Sequence, residues 1–200
     1  MTGFKIVNLK LLLDEVGEEQ TKGILSNFSC PLNGDVQQFL RVKAIEFSKQ
    51  SLAQTHLVFA SFRGNPALAG YFSLANKYIT VKSSILTSRL RQRISRFAIL
   101  DQQAKSYCLS APLIAQLGKN YSLGSSLISG DELLTLACEK ISTIQLDLGG
   151  KFAYLECEDK PKLLEFYSSN GFVPFDRREL DKDESGLSGD YLIQMLKFIK

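Results

Sequence analysis

The chain predicts an α/β (α+β) fold, a mixed sheet flanked by helices. Alternating apolar runs open and close it, FKIVNLK and YLIQMLKF, and stretches with helical spacing lie between them. From Ala111 onward the order is strand, loop, helix, strand, helix, strand, which is the mark of mixed α/β organisation.

FKIVNLK alternates apolar and polar residues and reads as the first strand. From Val36 to Ser48, Val36, Phe39, Leu40, Val42, Ala44, Ile45 and Phe47 form a broad apolar helical face. Asp35 stands at the N-cap position, after an Asn33-Gly34 loop. HLVFASF and ALAGYFSLA flank Arg63-Gly64-Asn65-Pro66 and read as a hairpin. Arg89 to Phe97 reads as a helix with Leu90, Ile94 and Phe97 inward.

APLIAQLG is strand-like, and NYSLGSSLISG is a Ser/Gly loop. DELLTLACEKI is a helix with Leu133, Leu134, Ala137 and Ile141 on one face, and Ser129 and Glu132 have the spacing of a capping box. KFAYLECE is a strand, PKLLEFYSS a short helix with proline in its first turn, and GFVPF opens a strand. DRRELDKDESGLSGD reads as a long loop before the last strand.

Two hundred residues, 44% hydrophobic and 22% charged, suit one domain over 1–200 with a single core. No apolar run approaches the ~20 residues that span a bilayer. The LLL near the start is followed by acids and not by a small-residue cleavage site, so no signal peptide is read. Four cysteines without a CxxC pair, and one histidine, argue against zinc and for reduced thiols in the cytoplasm; no metal is expected. His56 opens a strand and reads as structural.

Net charge is +3 and uninformative, but its distribution is uneven. Arg89, Arg91, Arg93 and Arg96 crowd together, as do Asp14, Glu15, Glu18 and Glu19. Two solvated helix faces explain this, and so does a polyanion docked on one of them. On a helix, Arg89, Arg93 and Arg96 share a side and Arg91 turns away.

LLEFYSSNGFVPF, LIAQLGKNY with its Ser/Gly loop, and AGYFSLA together resemble the GNAT superfamily of N-acetyltransferases. Phe28, Asn33, Val36, Phe39, Leu40 and Ala44 resemble the entry pattern of its toxin-like branch, which acetylates the amino acid on charged tRNA. The resemblance implies a mostly antiparallel sheet whose fourth and fifth strands splay, with acetyl-CoA as cosubstrate. It makes Tyr167 the acid that protonates the departing thiolate. Gln116, Leu117 and Gly118 would line the acetyl group, and Ser125, Ser126, Ile128, Ser129 and Gly130 would hold the pyrophosphate.

The pyrophosphate turn departs from the family pattern: of Ser125, Ile128 and Gly130, only the last position conforms. The physical requirement is N–H groups at a helix N-terminus aimed at an anion. A well-capped helix and an anion site both stay open there. If the acceptor is aminoacyl-tRNA, Arg89, Arg93 and Arg96 are candidates for its phosphates. An antitoxin and a second copy of the chain are the implied protein partners. A small amine or protein amine as acceptor stays open, as does a degenerate, non-catalytic binding protein. Glu156, Glu158 and Glu165 lie near Tyr167 in sequence, and none is named as a base.

Overall fold

The computed structural model describes residues 3–180 and 189–199. The strands are β1 (Phe4–Asn8), β2 (Gln54–Phe62), β3 (Asn65–Ala75), β4 (Tyr78–Lys82), β5 (Ile99–Asp101), β6 (Ser106–Ser110), β7 (Leu113–Lys119), β8 (Phe152–Glu158), β9 (Val173–Glu179) and β10 (Tyr191–Phe198). The helices are α1 (Leu9–Val16), α2 (Glu18–Ser26), α3 (Gly34–Gln38), α4 (Ala44–Lys49), α5 (Ser88–Ile94), α6 (Gly130–Leu148) and α7 (Pro161–Ser169), with a π-helical turn at Phe39–Lys43. A seven-stranded sheet runs β1-β2-β3-β7-β8-β10-β9, and a three-stranded sheet runs β4-β6-β5. The seven-stranded sheet is mostly antiparallel. Among the described residues Leu113 of β7 lies opposite Tyr154 of β8 in a parallel pairing.

Two compact units emerge, Met1–Ala75 with Ile114–Ala137, and Asn76–Leu113 with Cys138–Lys200. In the first, α1 to α4 pack on β1, β2 and β3 around Leu9, Leu25, Phe28, Leu40, Leu57 and Tyr71. The β2–β3 turn is Arg63-Gly64, with φ of 52° and 82°. Two consecutive left-handed residues match the twist of a two-residue hairpin. Asn65 and Pro66, read as part of the turn, lie in β3 opposite Phe62 and Ser61.

The helix expected over 36–48 is instead α3, a π turn and α4. Its N-cap is Asn33, whose Oδ1 accepts from Val36 N at 3.1 Å, and not Asp35. The π turn closes on the bond from Ala44 N to Phe39 O. The wider turn slips the helical period, so Val42 leaves the apolar face and is 67% exposed.

The second unit packs Ile79, Val81, Ile94, Leu109, Phe152 and Leu196 into its own core. Its small sheet was not legible in the sequence, because β4 alternates over five residues only and all of β5 is exposed. α5 ends at Ile94, short of the expected Phe97, which is 47% exposed beyond the helix end. At the other side β9 runs on to Glu179, so Asp176, Arg177 and Arg178 are strand and not loop, paired with β10 through Tyr191↔Glu179. The remainder of that expected loop, residues 181–188, lies outside the described residues.

Gly118 is the tightest point of the first unit. A Cβ there would meet Val36 Cγ1 at 2.4 Å, Tyr71 Cε1 at 2.9 Å and Phe28 Cζ at 3.1 Å. Gly118→Ala is therefore expected to cost about 1–3 kcal/mol, the usual penalty of overpacking a filled core. Urea unfolding of parent and variant measures it, and an unchanged midpoint would contradict this packing.

Candidate functional site

In the first unit β7 carries Gln116, Leu117 and Gly118. Gln116 and Gly118, two residues apart, point to one face of the strand. Gln116 Nε2 donates to Asp35 Oδ2 at 3.2 Å, so α3 is fastened to β7 by a polar bond beside the Gly118 contact. Tyr71 on β3 donates its hydroxyl to Val36 O at 2.6 Å, a third fastening. Burial, then the charges of Asp35 and Cys30, push the Tyr71 phenol well up. It is a structural donor and stays protonated.

The loop after β7 is brought against the same place. A Cβ on Gly70 of β3 would meet Gly118 O at 2.7 Å, Leu133 Cδ2 at 3.3 Å and Ile128 Cγ2 at 3.5 Å. Of the expected pyrophosphate residues, Ile128 is thus a core residue, while Ser125 and Ser129 are exposed. Ser126 Oγ donates to Ile128 O at 2.7 Å. The capping box has formed: Ser129 N donates to Glu132 Oε2 at 2.9 Å, and Glu132 N to Ser129 Oγ at 3.1 Å. Those bonds, the backbone one first, hold the Glu132 carboxyl below its ordinary value. Gly130 begins α6 immediately after Ser129.

In the second unit Tyr167 lies on α7, half-buried. The helix ends in a Schellman motif: Phe172 N donates to Tyr167 O at 3.0 Å, Gly171 N to Ser168 O at 3.0 Å, and Gly171 has φ 83°. Phe172 packs edge-on against the Tyr167 ring, 6.1 Å between centroids, as the hydrophobic contact of that motif. Hence the interval from tyrosine to Gly-Phe has a structural cause that the sequence reading did not use. The cap consumes the Tyr167 carbonyl and one ring edge, and no described residue hydrogen-bonds its hydroxyl. Burial first, and Cys157 second, raise the phenol above its ordinary pKa, so it is fully protonated at neutral pH.

The carboxylates near Tyr167 in sequence are accounted for otherwise. Glu156 accepts from Arg178 Nε and Nη2 at 3.0 and 2.8 Å, from Gln194 Nε2 at 3.1 Å and from the Tyr154 hydroxyl. Burial opposes its charge, but these bonds prevail and hold its carboxyl below the ordinary value. Glu158 pairs with Lys160 at 2.9 Å, and Glu165 is exposed. A Tyr-Glu-Arg-Gln network across β8, β9 and β10 was invisible in the sequence, since its members are up to 40 residues apart.

The arginines are split by the end of α5. Arg89 and Arg93 are helical and Arg96 sits in the following turn; all three are exposed. Arg93 stacks over Phe198 at 5.5 Å. Arg91 turns away as expected, donating to Ser83 O at 2.7 Å. Of the early acids, Glu18 pairs with Lys22 and Lys49 at 2.9 and 2.7 Å, and Glu19 with Lys22 at 3.4 Å. His56 is buried and stacks on Phe72 at 5.0 Å, a structural placement.

No protein-family model and no curated protein sequence matches the chain. Solved structures do. AtaT complexed with acetyl-methionyl-tRNA is 16% identical, with a TM-score of 0.62 over 95% of this chain and 93% of that one. A tyrosine-to-phenylalanine mutant of KacT is 13% identical, with a TM-score of 0.63 over 96% and 94%. AtaTR bound with AcCoA is 16% identical, with a TM-score of 0.56 over 96% and 93%.

The chain shares the fold of these structures. No helix among the described residues is long and apolar enough to cross a membrane.

Glu156 has a folded pKa below its unfolded value, so its contribution is full above the unfolded pKa of about 4.3 and is lost as pH falls through the folded one. Glu156→Gln should lower stability at pH 7 by about 1–3 kcal/mol, the range for hydrogen bonds to a charged group. It should also flatten the fall of the melting temperature below about pH 5. Thermal melts across pH test both; a parent-like acid slope would remove Glu156 as its source.

Proposed function

We propose that the chain is an N-acetyltransferase that moves the acetyl group of acetyl-CoA to a primary amine, the acceptor being the amino acid on charged tRNA. The observation that carries it is Tyr167: a protonated hydroxyl left without a partner, on a helix end whose cap holds the ring. Tyr71, by contrast, spends its hydroxyl on Val36 O. The fold it shares with AtaT, solved with acetyl-methionyl-tRNA, supports the acceptor, and AtaTR solved with AcCoA supports the donor. AtaT is also solved with the C-terminus of the antitoxin AtaR, and an antitoxin partner belongs to the same reading.

The chemistry needs a polarised carbonyl, a neutral amine and a proton for the leaving sulfur. Of the two strand residues, Leu117 offers its N–H as the oxyanion donor, because Gly118 turns its backbone carbonyl and N–H toward β3, and Gln116 stands at the margin. Ser125, Ser126, Ile128, Ser129 and Gly130 form the pyrophosphate site at the start of α6, where the helix dipole favours an anion. A phosphate there displaces the Glu132 carboxylate from Ser129 N, so affinity depends on opening the capping box. That same box favours a second reading, a non-catalytic binding protein on this fold. Titration of the purified chain with acetyl-CoA by calorimetry separates the two, and absence of heat over a millimolar range would favour the second.

Tyr167→Phe is expected to keep acetyl-CoA affinity and lose about two to four orders of magnitude in rate, the usual contribution of one general acid. Transfer of labelled acetyl to methionyl-tRNA reports it, and an unchanged rate would make Tyr167 structural only.

Arg89, Arg93 and Arg96 are proposed to follow the tRNA backbone. Alanine at all three should weaken tRNA binding and reduce its salt slope by about one unit per lost phosphate contact. Filter binding at two salt concentrations decides this: equal slopes for parent and triple variant would remove the patch from tRNA docking.

A further inference from the structure

The reaction proposed above lacks a group that takes the proton from the acceptor ammonium. The three glutamates nearest to Tyr167 in sequence do not supply it: Glu156 is saturated by Arg178, Gln194 and Tyr154, Glu158 is paired with Lys160, and Glu165 is exposed. In the first unit, Glu18 and Glu46 are taken by lysines, and Glu132 caps α6. Asp35 differs from all of these. It stands half-buried in the first turn of α3, and its one recorded partner is a neutral amide on β7, Gln116 Nε2 at 3.2 Å to Oδ2.

The placement of Asp35 is enforced from several sides. Asn33 caps α3, the Tyr71 hydroxyl binds Val36 O at 2.6 Å, and Val36 lies where a Gly118 Cβ would stand, 2.4 Å from it. The titratable group that acts with Asp35 is the Tyr71 phenol, which burial first and the Asp35 charge second keep protonated, and a neutral phenol does not neutralise a carboxylate. No described residue bonds the other oxygen, Oδ1. A carboxylate is thereby held, without a cation, against the strand whose next two residues are Leu117 and Gly118. The π-helical turn that follows at once, Phe39–Lys43, is of a kind that recurs at functional sites.

We infer that Asp35, oriented by Gln116, binds the acceptor's ammonium group and removes its proton. This rests on the acetyltransferase reading. Asp35 takes one proton from R–NH3+, and the nitrogen lone pair then forms the N–C bond to the acetyl carbonyl carbon. The C–S bond breaks with its electron pair on sulfur. The sulfur gains a proton from Tyr167, the second proton lost by the amide nitrogen restores the Tyr167 hydroxyl, and the first leaves Asp35 for solvent as the one net proton released. Asp35 also selects for cationic amines, since a carboxylate attracts an ammonium and repels an acidic acceptor.

The test is acetyl transfer from acetyl-CoA to methionyl-tRNA by the parent and Asp35→Asn, at about pH 6.5 and about pH 9, either side of an α-amine pKa near 8. Acetyl-CoA affinity and melting temperature are measured alongside. The expected result is a loss of about 10²–10⁴ at the lower pH that shrinks towards the parent rate at the higher one, where the amine is already neutral. Acetyl-CoA affinity should be unchanged. An unchanged rate, or an equal loss at both pH values, would overturn the inference. Should Asp35→Asn fail to fold, Asp35→Glu decides: a parent-like pH profile supports the role, and a uniform loss overturns it. A parent that binds acetyl-CoA yet acetylates no methionyl-tRNA overturns the acceptor reading and this inference with it. An active parent with an indifferent Asp35→Asn overturns this inference alone.

Discussion

The absence of a side chain at Gly118 is the constraint on which the first unit depends. Val36, Tyr71 and Phe28 occupy the space where its Cβ would be, and Gly70 lets the Gly118 carbonyl come equally close from β3. Two glycines on neighbouring strands thus let α3, β3, β7 and the start of α6 converge within van der Waals distance. Everything assigned to that unit follows from this approach: the position of Asp35 against Gln116, the inward turn of Ile128, and the emergence of α6 at Gly130.

The second unit is organised differently, by polar satisfaction and by a helix cap. Glu156 and Arg178 are mostly removed from water, and such a pair is tolerable only if its remaining hydrogen-bonding capacity is met. Tyr154, two residues back on β8, and Gln194, on β10, meet it, and the bonds of Gln194 and Arg178 tie β8, β9 and β10 together. On α7 the Schellman motif fixes the end of the helix through Gly171 and Phe172. The ring that serves this cap carries the hydroxyl proposed as the acid, so stability and catalysis draw on the same residue without competing for the same atoms.

Charge in this chain is arranged mainly for structure, and the exceptions stand out against that background. Glu18, Glu132, Glu156 and Arg91 are each engaged by a lysine, a cap, an arginine or a carbonyl. Asp35 holds only an amide, and the Tyr167 hydroxyl nothing among the described residues. A polar group kept in place without a matching partner is poised to meet one on a ligand. The AtaT, KacT and AtaTR structures share the fold at 13–16% identity, a level at which backbone architecture is common ground and side-chain roles must be argued from this chain.

By itself the sequence determined the periodic elements and their order. β1, the β2–β3 hairpin, β8, α7 and β10 were legible because alternation, a Gly turn or a Pro-led helix is a local signal that needs no partner to read. The Ser129–Glu132 box was legible for the same reason, being a short-range pattern, whereas Tyr167 was singled out through the resemblance. Only tertiary structure decided the rest. Val42 was expected inside and lies in water, because a π turn shifts the period and no local pattern announces it. Asp35 gave way to Asn33 as cap because α3 already begins at Gly34, and the carboxylate of Asp35 accepts instead from Gln116, 81 residues away. Glu156 found its arginine 22 residues on and its amide 38 residues on, partners that exist only once strands pair. Hydrogen-bond and ion-pair partners are set by proximity in space, and a chain brings distant residues together only by folding.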